Sequence, residues 1–229
     1  NGEDLSIVIG DVMYAMALDA FLAVKENPAR KELILRKLIS AAFYTGCGEF
    51  IELLLGARPL KSITKNDIYK IYDYKTANYT FASPLSMGAH LAGANGLQIK
   101  KLFDYGMCLG RAFQIKDDII GTFSQKAKIG KSNLTDVSEA KKTILIWYAY
   151  NHCDKADKAA IERIFSDKNA GGKELIKIRR IISDSGSLNY ARREIKQLLN
   201  RSDDIIQSLN MRNKYRDTLI NFSRKILYV

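Results

Sequence analysis

Prolines are scarce in this chain: Pro28, Pro59 and Pro84 are the only three in 229 residues. A long proline-free stretch can stay helical, because nothing removes a backbone donor or clashes with the preceding turn. The apolar residues use that freedom. They recur at helical spacing nearly throughout, and no segment shows sustained two-residue alternation with hairpin turn chemistry. An apolar run from Leu5 to Val24 follows Asp4. Asn27-Pro28 is a helix start, with asparagine as cap and proline in the first turn, and the helix continues to Gly56. Thr64 and Asp67 form a capping box that opens a helix running to about Pro84 and, after a kink there, to Gly93. Asn95 caps the next helix, which reaches about Gly121. A polar loop, Thr122 to Leu134, separates it from helices resuming near Asp136, Asp154, Gly172, Leu188 and Arg212, with stops at Gly171-Gly172 and Ser185-Gly186. There is no internal repeat, low-complexity tract or dividing linker. The expected architecture is all-α, one helical domain over residues 1–229.

Three widely spaced cysteines, Cys47, Cys108 and Cys153, do not make a secreted disulfide framework, so a reducing cytoplasm is the expected compartment. No uninterrupted apolar run approaches the ~20 residues that span a bilayer, and stable membrane insertion is not expected. The chain starts at Asn1 and carries no signal-peptide pattern, which predicts that an upstream part belongs to it. The net charge is +11, of which +7 falls in residues 154–229 (17 basic against 10 acidic). That charge is scattered singly along helical stretches. It reads as solvated face rather than nucleic-acid patch, and interleaved base-stacking aromatics are not evident there.

The informative residues are polar groups on stripes that should be apolar. In the helix from Asn95 to Gly121, Gly106, Gly110, Phe113, Gln114, Asp117 and Gly121 share a face at about 100° per residue. Asp118 lies about a quarter turn away. A carboxylate on such a stripe, near a helix C-terminus, needs a cation beside it. Periodicity does not separate a structural arginine from a hard metal ion such as Mg²⁺, which takes carboxylate oxygens and completes its shell with water or phosphate. The glycines fit either close helix packing or a ligand slot. On the preceding helix, Lys75 shares a face with Ile68, Ile71, Tyr72, Tyr79 and Ala82, with Thr76 next to it. Alone, such a lysine snorkels to solvent. Opposite an acid pair and its metal, it would make a site for a polyanion. Tyr44, Tyr72 and Tyr79 read as core or pocket wall. Lys131 follows Gly130 in the polar loop and could close over a phosphate, while Asp136 has the look of an N-cap. His90 and His152 are the only histidines and stand away from the acids, so zinc is not expected. Nucleophile-elbow, Walker and dinucleotide-binding glycine patterns are lacking.

These residues carry a resemblance. GRAFQIKDDIIG, Gly110 to Gly121, resembles the second aspartate-rich motif of the trans-prenyl diphosphate synthases (polyprenyl synthetases). GKSNLTDVSEAKKT, Gly130 to Thr143, is similar to the family's following GK…D…E.K.T element. Lys75-Thr76 resembles its KT motif, Gly88-Ala89 its GA, and Gly10-Asp11 the GD after its first catalytic region. The five matches come in the family's order.

The resemblance implies an all-α fold of long helices around a central cavity, and a homodimer. It implies Mg²⁺-dependent condensation: an allylic prenyl diphosphate ionises, isopentenyl diphosphate attacks the cation, and a proton is lost. Carried over, Asp117 would be the direct Mg²⁺ ligand, Asp118 a water-mediated partner, and Gln114 would orient the site. Lys75, Lys131 and Lys141 would hold the allylic diphosphate. Thr76 would lie against the allylic carbon, and Asp136 would support metal-bound water or Lys131. Three departures accompany the match. Gly121 stands where a third aspartate is common. Gly48-Glu49 and Glu52 stand for the family's GQ..D element. The first aspartate-rich motif, with its isopentenyl diphosphate ligands, is expected upstream of Gly10. A non-catalytic helical subunit of the same fold is the alternative that these departures leave open.

Overall fold

The computed structural model describes residues 2–123, 141–166 and 171–227. Every regular element among them is helical. In chain order they are α1 (Gly2–Leu22), α2 (Pro28–Gly56), a 3₁₀ turn (Leu60–Ser62), α3 (Lys65–Tyr72), a π-helical segment (Asp73–Ala82), α4 (Ser83–Leu91) and α5 (Gly96–Phe123). Then follow α6 (Ile144–His152), α7 (Lys155–Ser166), α8 (Gly172–Asp184), α9 (Ser187–Gln207) and α10 (Asn213–Leu227). The start signals act as their chemistry predicts. Asn27 Oδ1 accepts from the amide of Ala29 at 3.0 Å. The Thr64–Asp67 box closes in both directions, and Asn95 Oδ1 accepts from the amide of Gln98 at 3.0 Å. Gly186 takes φ +74°, the left-handed turn that a residue without Cβ adopts at no cost.

Helix α5 is the central column. Tyr105, Leu109, Ala112 and Ile115 are at most 1% exposed, and the π-helical segment, α4 and α9 pack around it. One apolar cluster runs from Leu55 through α5 to Ile144, Leu145, Ile161, Ile178, Ile181, Ile195 and Leu227. Two glycines set the closest approaches. A Cβ on Gly110 would lie 2.2 Å from Cα of Ala77, and one on Gly48 would lie 2.5 Å from the amide nitrogen of Lys75. The glycine stripe of α5 is therefore close packing at Gly110, as also at Gly106 against Ala82. It presses α5 on one side of the segment that carries Lys75 and Thr76, as α2 presses on the other.

Two expectations need correction. The run from Thr64 to Gly93 is not one α-helix kinked at Pro84. It widens into π-helix from Asp73 to Ala82, closed by the Ser83 amide on the Asn78 carbonyl, and Pro84 simply sits in the first turn of α4. Wider turns shift the phase of the stripe, so Tyr79 is 49% exposed while Thr76 and Ala77 go under. The second correction is to the count of apolar runs in α1 and α2, not to the expectation of no stable membrane insertion. Both are long and apolar enough to cross a bilayer by length and composition. Counting an unbroken apolar run hides this, because Asp11 and Asp19 interrupt α1 without making it polar. Nothing in α1 from Asp4 to Leu22 is buried, and Leu5, Ile7, Val8, Met13 and Met16 are each more than half exposed.

The C-terminal end of α2 is held from a distance. The ammonium of Lys142, with that residue 9% exposed, donates to the carbonyls of Leu55, Gly56 (2.7 Å) and Arg58. It satisfies orphan acceptors at the negative end of the helix. Lys142→Met keeps the stem and removes the cap. It is expected to cost about 2–3 kcal/mol, read as a lowered urea midpoint with an unchanged slope.

Candidate active site

A cavity of about 580 Å³ opens where the π-helical segment, α5 and the 141–143 segment meet. Lys75, Thr76, Tyr79 and Thr80 line it from the π-helical segment, Phe113, Gln114, Asp117 and Asp118 from α5, and Lys141 to Thr143 from the irregular segment entering α6. Six residues expected from the sequence to form a site thus line one cavity: Lys75, Thr76, Gln114, Asp117, Asp118 and Lys141. The other two, Lys131 and Asp136, lie outside the described residues.

The two acids differ. Asp117 is exposed to the cavity. Asp118 is 7% exposed and held from two sides: Tyr72 Oη donates to its Oδ2, and Gln114 Nε2 donates to its Oδ1 at 3.1 Å. Gln114 Oε1 in turn accepts from the hydroxyl of Thr76 at 2.6 Å. Tyr72 also accepts from the amide of Ile144 at 3.0 Å. Burial first, and then the charge of Asp118, drive the Tyr72 pKa well above its ordinary value, which keeps the phenol a donor. A continuous line of hydrogen bonds runs from Thr76 through Gln114 and Asp118 to Tyr72 and the start of α6.

Lys75 faces acids other than the expected ones. Its amine pairs with Glu52 and, at 2.9 Å, with Glu49, both on α2. The close approach at Gly48 brings them within reach. Burial works to lower the Lys75 pKa, but hydrogen bonds and charge from Glu52 and Glu49 outweigh it, so the net shift is upward. The lysine is a fixed cation at the mouth shared by this cavity and a neighbouring one of about 450 Å³ lined by Glu49, Glu52, Lys75 and Lys141. Arg111, one turn before Gln114, forms a bidentate pair with Asp73, locking α5 to the start of the π-helical segment.

Sequence reasoning missed the hydroxyl of Tyr72, which it placed in core or pocket wall, and the Glu49/Glu52 clasp, which needed α2 to be placed first. Among the described residues no three acids, histidines or cysteines converge. The donor set still suits Mg²⁺: a cavity-exposed carboxylate beside an amide, with room for water and phosphate oxygens and amines on the facing wall.

The polyprenyl synthetase family model matches residues 1–182. The chain belongs to the polyprenyl synthetase family. A geranylgeranyl diphosphate synthase from Sulfolobus acidocaldarius is 30% identical over 196 residues, which is 83% of this chain and 57% of that protein. The fold agrees with two solved synthases. Geranylgeranyl pyrophosphate synthase from Corynebacterium glutamicum, complexed with isoprenyl diphosphate and magnesium, has a TM-score of 0.86 at 24% identity, covering 98% of this chain and 63% of that one. A polyprenyl synthase from Caulobacter crescentus, complexed with calcium and isoprenyl diphosphate, has a TM-score of 0.87 at 22% identity, covering 99% and 66%. The expected all-α isoprenoid-synthase-type bundle is the fold observed. The polyprenyl synthetase chain described here spans about 57% of the length of the first curated relatives it matches.

Proposed function

We propose that this polyprenyl synthetase chain carries the allylic-diphosphate side of a Mg²⁺-dependent trans-prenyl diphosphate synthase. The reaction condenses isopentenyl diphosphate with an allylic prenyl diphosphate to give a longer trans-prenyl diphosphate. The observation that carries the reading is one cavity wall with Asp117 and Gln114 on one helix and Lys75, Thr76 and Lys141 opposite. Asp117 is the residue that would hold Mg²⁺, with Asp118 and Gln114 behind it. When bound, the metal supplies positive charge to the departing diphosphate. Lys75 and Lys141, with Lys131 from the loop, bind the diphosphate oxygens. The Thr76 hydroxyl, held by Gln114, would lie against the allylic carbon and assist stabilisation of the developing cation or its deprotonation. Phe113 and Tyr79 shield that carbon from water. Asp136 supports Lys131. The ligands for isopentenyl diphosphate and a further acidic motif lie outside this set of residues.

The 229 residues form one helical domain that works as a cytoplasmic homodimer. Two observations support this: the three thiols are free, and the apolar surface of α1 and of Phe43, Phe50 and Leu53 on α2 is uncovered. A second copy would bury that surface.

Incubating the full-length protein with radiolabelled isopentenyl diphosphate, an allylic primer and Mg²⁺ should yield a labelled prenyl product that EDTA abolishes. A protein with its upstream segment that gives no product with any primer is instead a non-catalytic subunit, a reading that the Glu49/Glu52 clasp on Lys75 favours. Lys75→Ala should raise KM for the allylic diphosphate roughly 10- to 100-fold, the loss of one charge-assisted contact. Steady-state kinetics against primer concentration checks it.

A further inference from the structure

Tyr72 closes α3, one turn before Lys75 and Thr76, and is 4% exposed. Its ring packs in the core against Tyr69, with ring centroids 6.0 Å apart. A phenylalanine would serve that packing. The hydroxyl does something else: it joins three elements at one oxygen, donating to Asp118 on α5 and accepting from the first amide of α6.

We propose that Tyr72 is a positioning residue for the acid pair, fixing Asp118, and through it the Gln114–Thr76 link, against the start of α6. The proposal rests on reading the cavity as a metal–diphosphate site. A carboxylate as buried as Asp118 must have donors. With Tyr72 supplying one at Oδ2, the carboxylate stays turned inward and its Oδ1 braces Gln114. Without that donor Oδ2 loses the bond that holds the carboxylate inward, and the brace on Gln114 loosens. Asp117 then loses the amide that faces the cavity beside it, and Thr76 loses its acceptor. The same oxygen fixes where the 141–143 segment enters α6, and so where Lys141 meets the opposite wall.

The test is Mn²⁺ binding to the 229-residue chain with inorganic pyrophosphate present, read from the electron paramagnetic resonance signal of free Mn²⁺. It is run at 5 °C, with melting temperatures measured in parallel. Tyr72→Phe should raise the Mn²⁺ Kd about tenfold, the worth of one hydrogen bond to a charged group. Ser187→Ala removes another buried hydroxyl bond to α6, on the Leu145 carbonyl at 2.7 Å, and does not touch Asp118. It should leave Kd within twofold. Asp118→Asn keeps the volume and reaches the same bond from the other side. Because it also removes a charge behind Asp117, it should raise Kd at least as much as Tyr72→Phe, and the double variant should bind no more weakly than the weaker single one. Tyr72→Phe within twofold of wild type, or losses that multiply in the double variant, overturn the positioning role and leave the site reading standing. Should Tyr72→Phe not fold, Asp118→Asn within twofold overturns the role by itself. A wild-type chain that binds no Mn²⁺ with pyrophosphate overturns both.

Discussion

Asp117→Ala is expected to cut metal-dependent prenyl transfer at least ~1000-fold, or ~4 kcal/mol of transition-state stabilisation, while leaving the melting temperature unchanged. The two halves of that expectation have separate causes. Asp117 sits near the C-terminal end of α5, where the helix macrodipole disfavours an anion. It is exposed to the cavity. Truncating it removes no core packing, so folding has little to lose. The proposed chemistry depends on gathering positive charge around a leaving diphosphate, and Asp117 is the cavity-exposed carboxylate of α5 that would anchor it. Asp118 cannot substitute, because Tyr72 and Gln114 already claim its oxygens. The measurement pairs label incorporation from isopentenyl diphosphate with a thermal melt. Activity within tenfold of wild type would remove Asp117 from the site.

Gly110→Ala should do the reverse, damaging the fold first. The added methyl would lie 2.2 Å from Cα of Ala77 and 2.5 Å from its Cβ. Backbone cannot step aside as a flexible side chain can, so α5 and the π-helical segment must separate. The expected cost is about 3 kcal/mol, which for a chain of this size lowers the melting temperature by roughly 6–12 °C. Thr76 precedes Ala77, so separation also stretches its bond to Gln114. Calorimetry gives the stability loss, and Ala77→Gly in the same molecule should recover part of it. An unchanged melting temperature would mean that the two helices do not approach as described.

Much of this was legible in the sequence, for a local reason. Caps and glycines act within a few residues, so Asn27, Thr64–Asp67, Asn95 and Gly186 mark their elements directly. Gln114 and Asp117 are three apart on one helix, and a 3.6-residue period suffices to put them on one face. What stayed hidden depends on neighbours or on departures from that period. Lys75 meets Glu49 and Glu52 only because α2 crosses at Gly48. Lys142 caps a helix that ends 86 residues earlier. Tyr72 looks like any core aromatic until α6 arrives above it. Tyr79 lines the cavity, half exposed, rather than the core.

The widening of the helix from Asp73 to Ala82 shapes the cavity. An α-helix advances about 100° per residue, so side chains four apart drift sideways by about 40° each turn and a long face winds away. Wider turns cancel the drift. The pairs Ile71/Tyr72, Lys75/Thr76 and Tyr79/Thr80 all border the same space, stacked like rungs set square to the rails. An extended chain lying along that helix would meet cation and hydroxyl at one rung and aromatic surface at the next, without having to corkscrew to follow it.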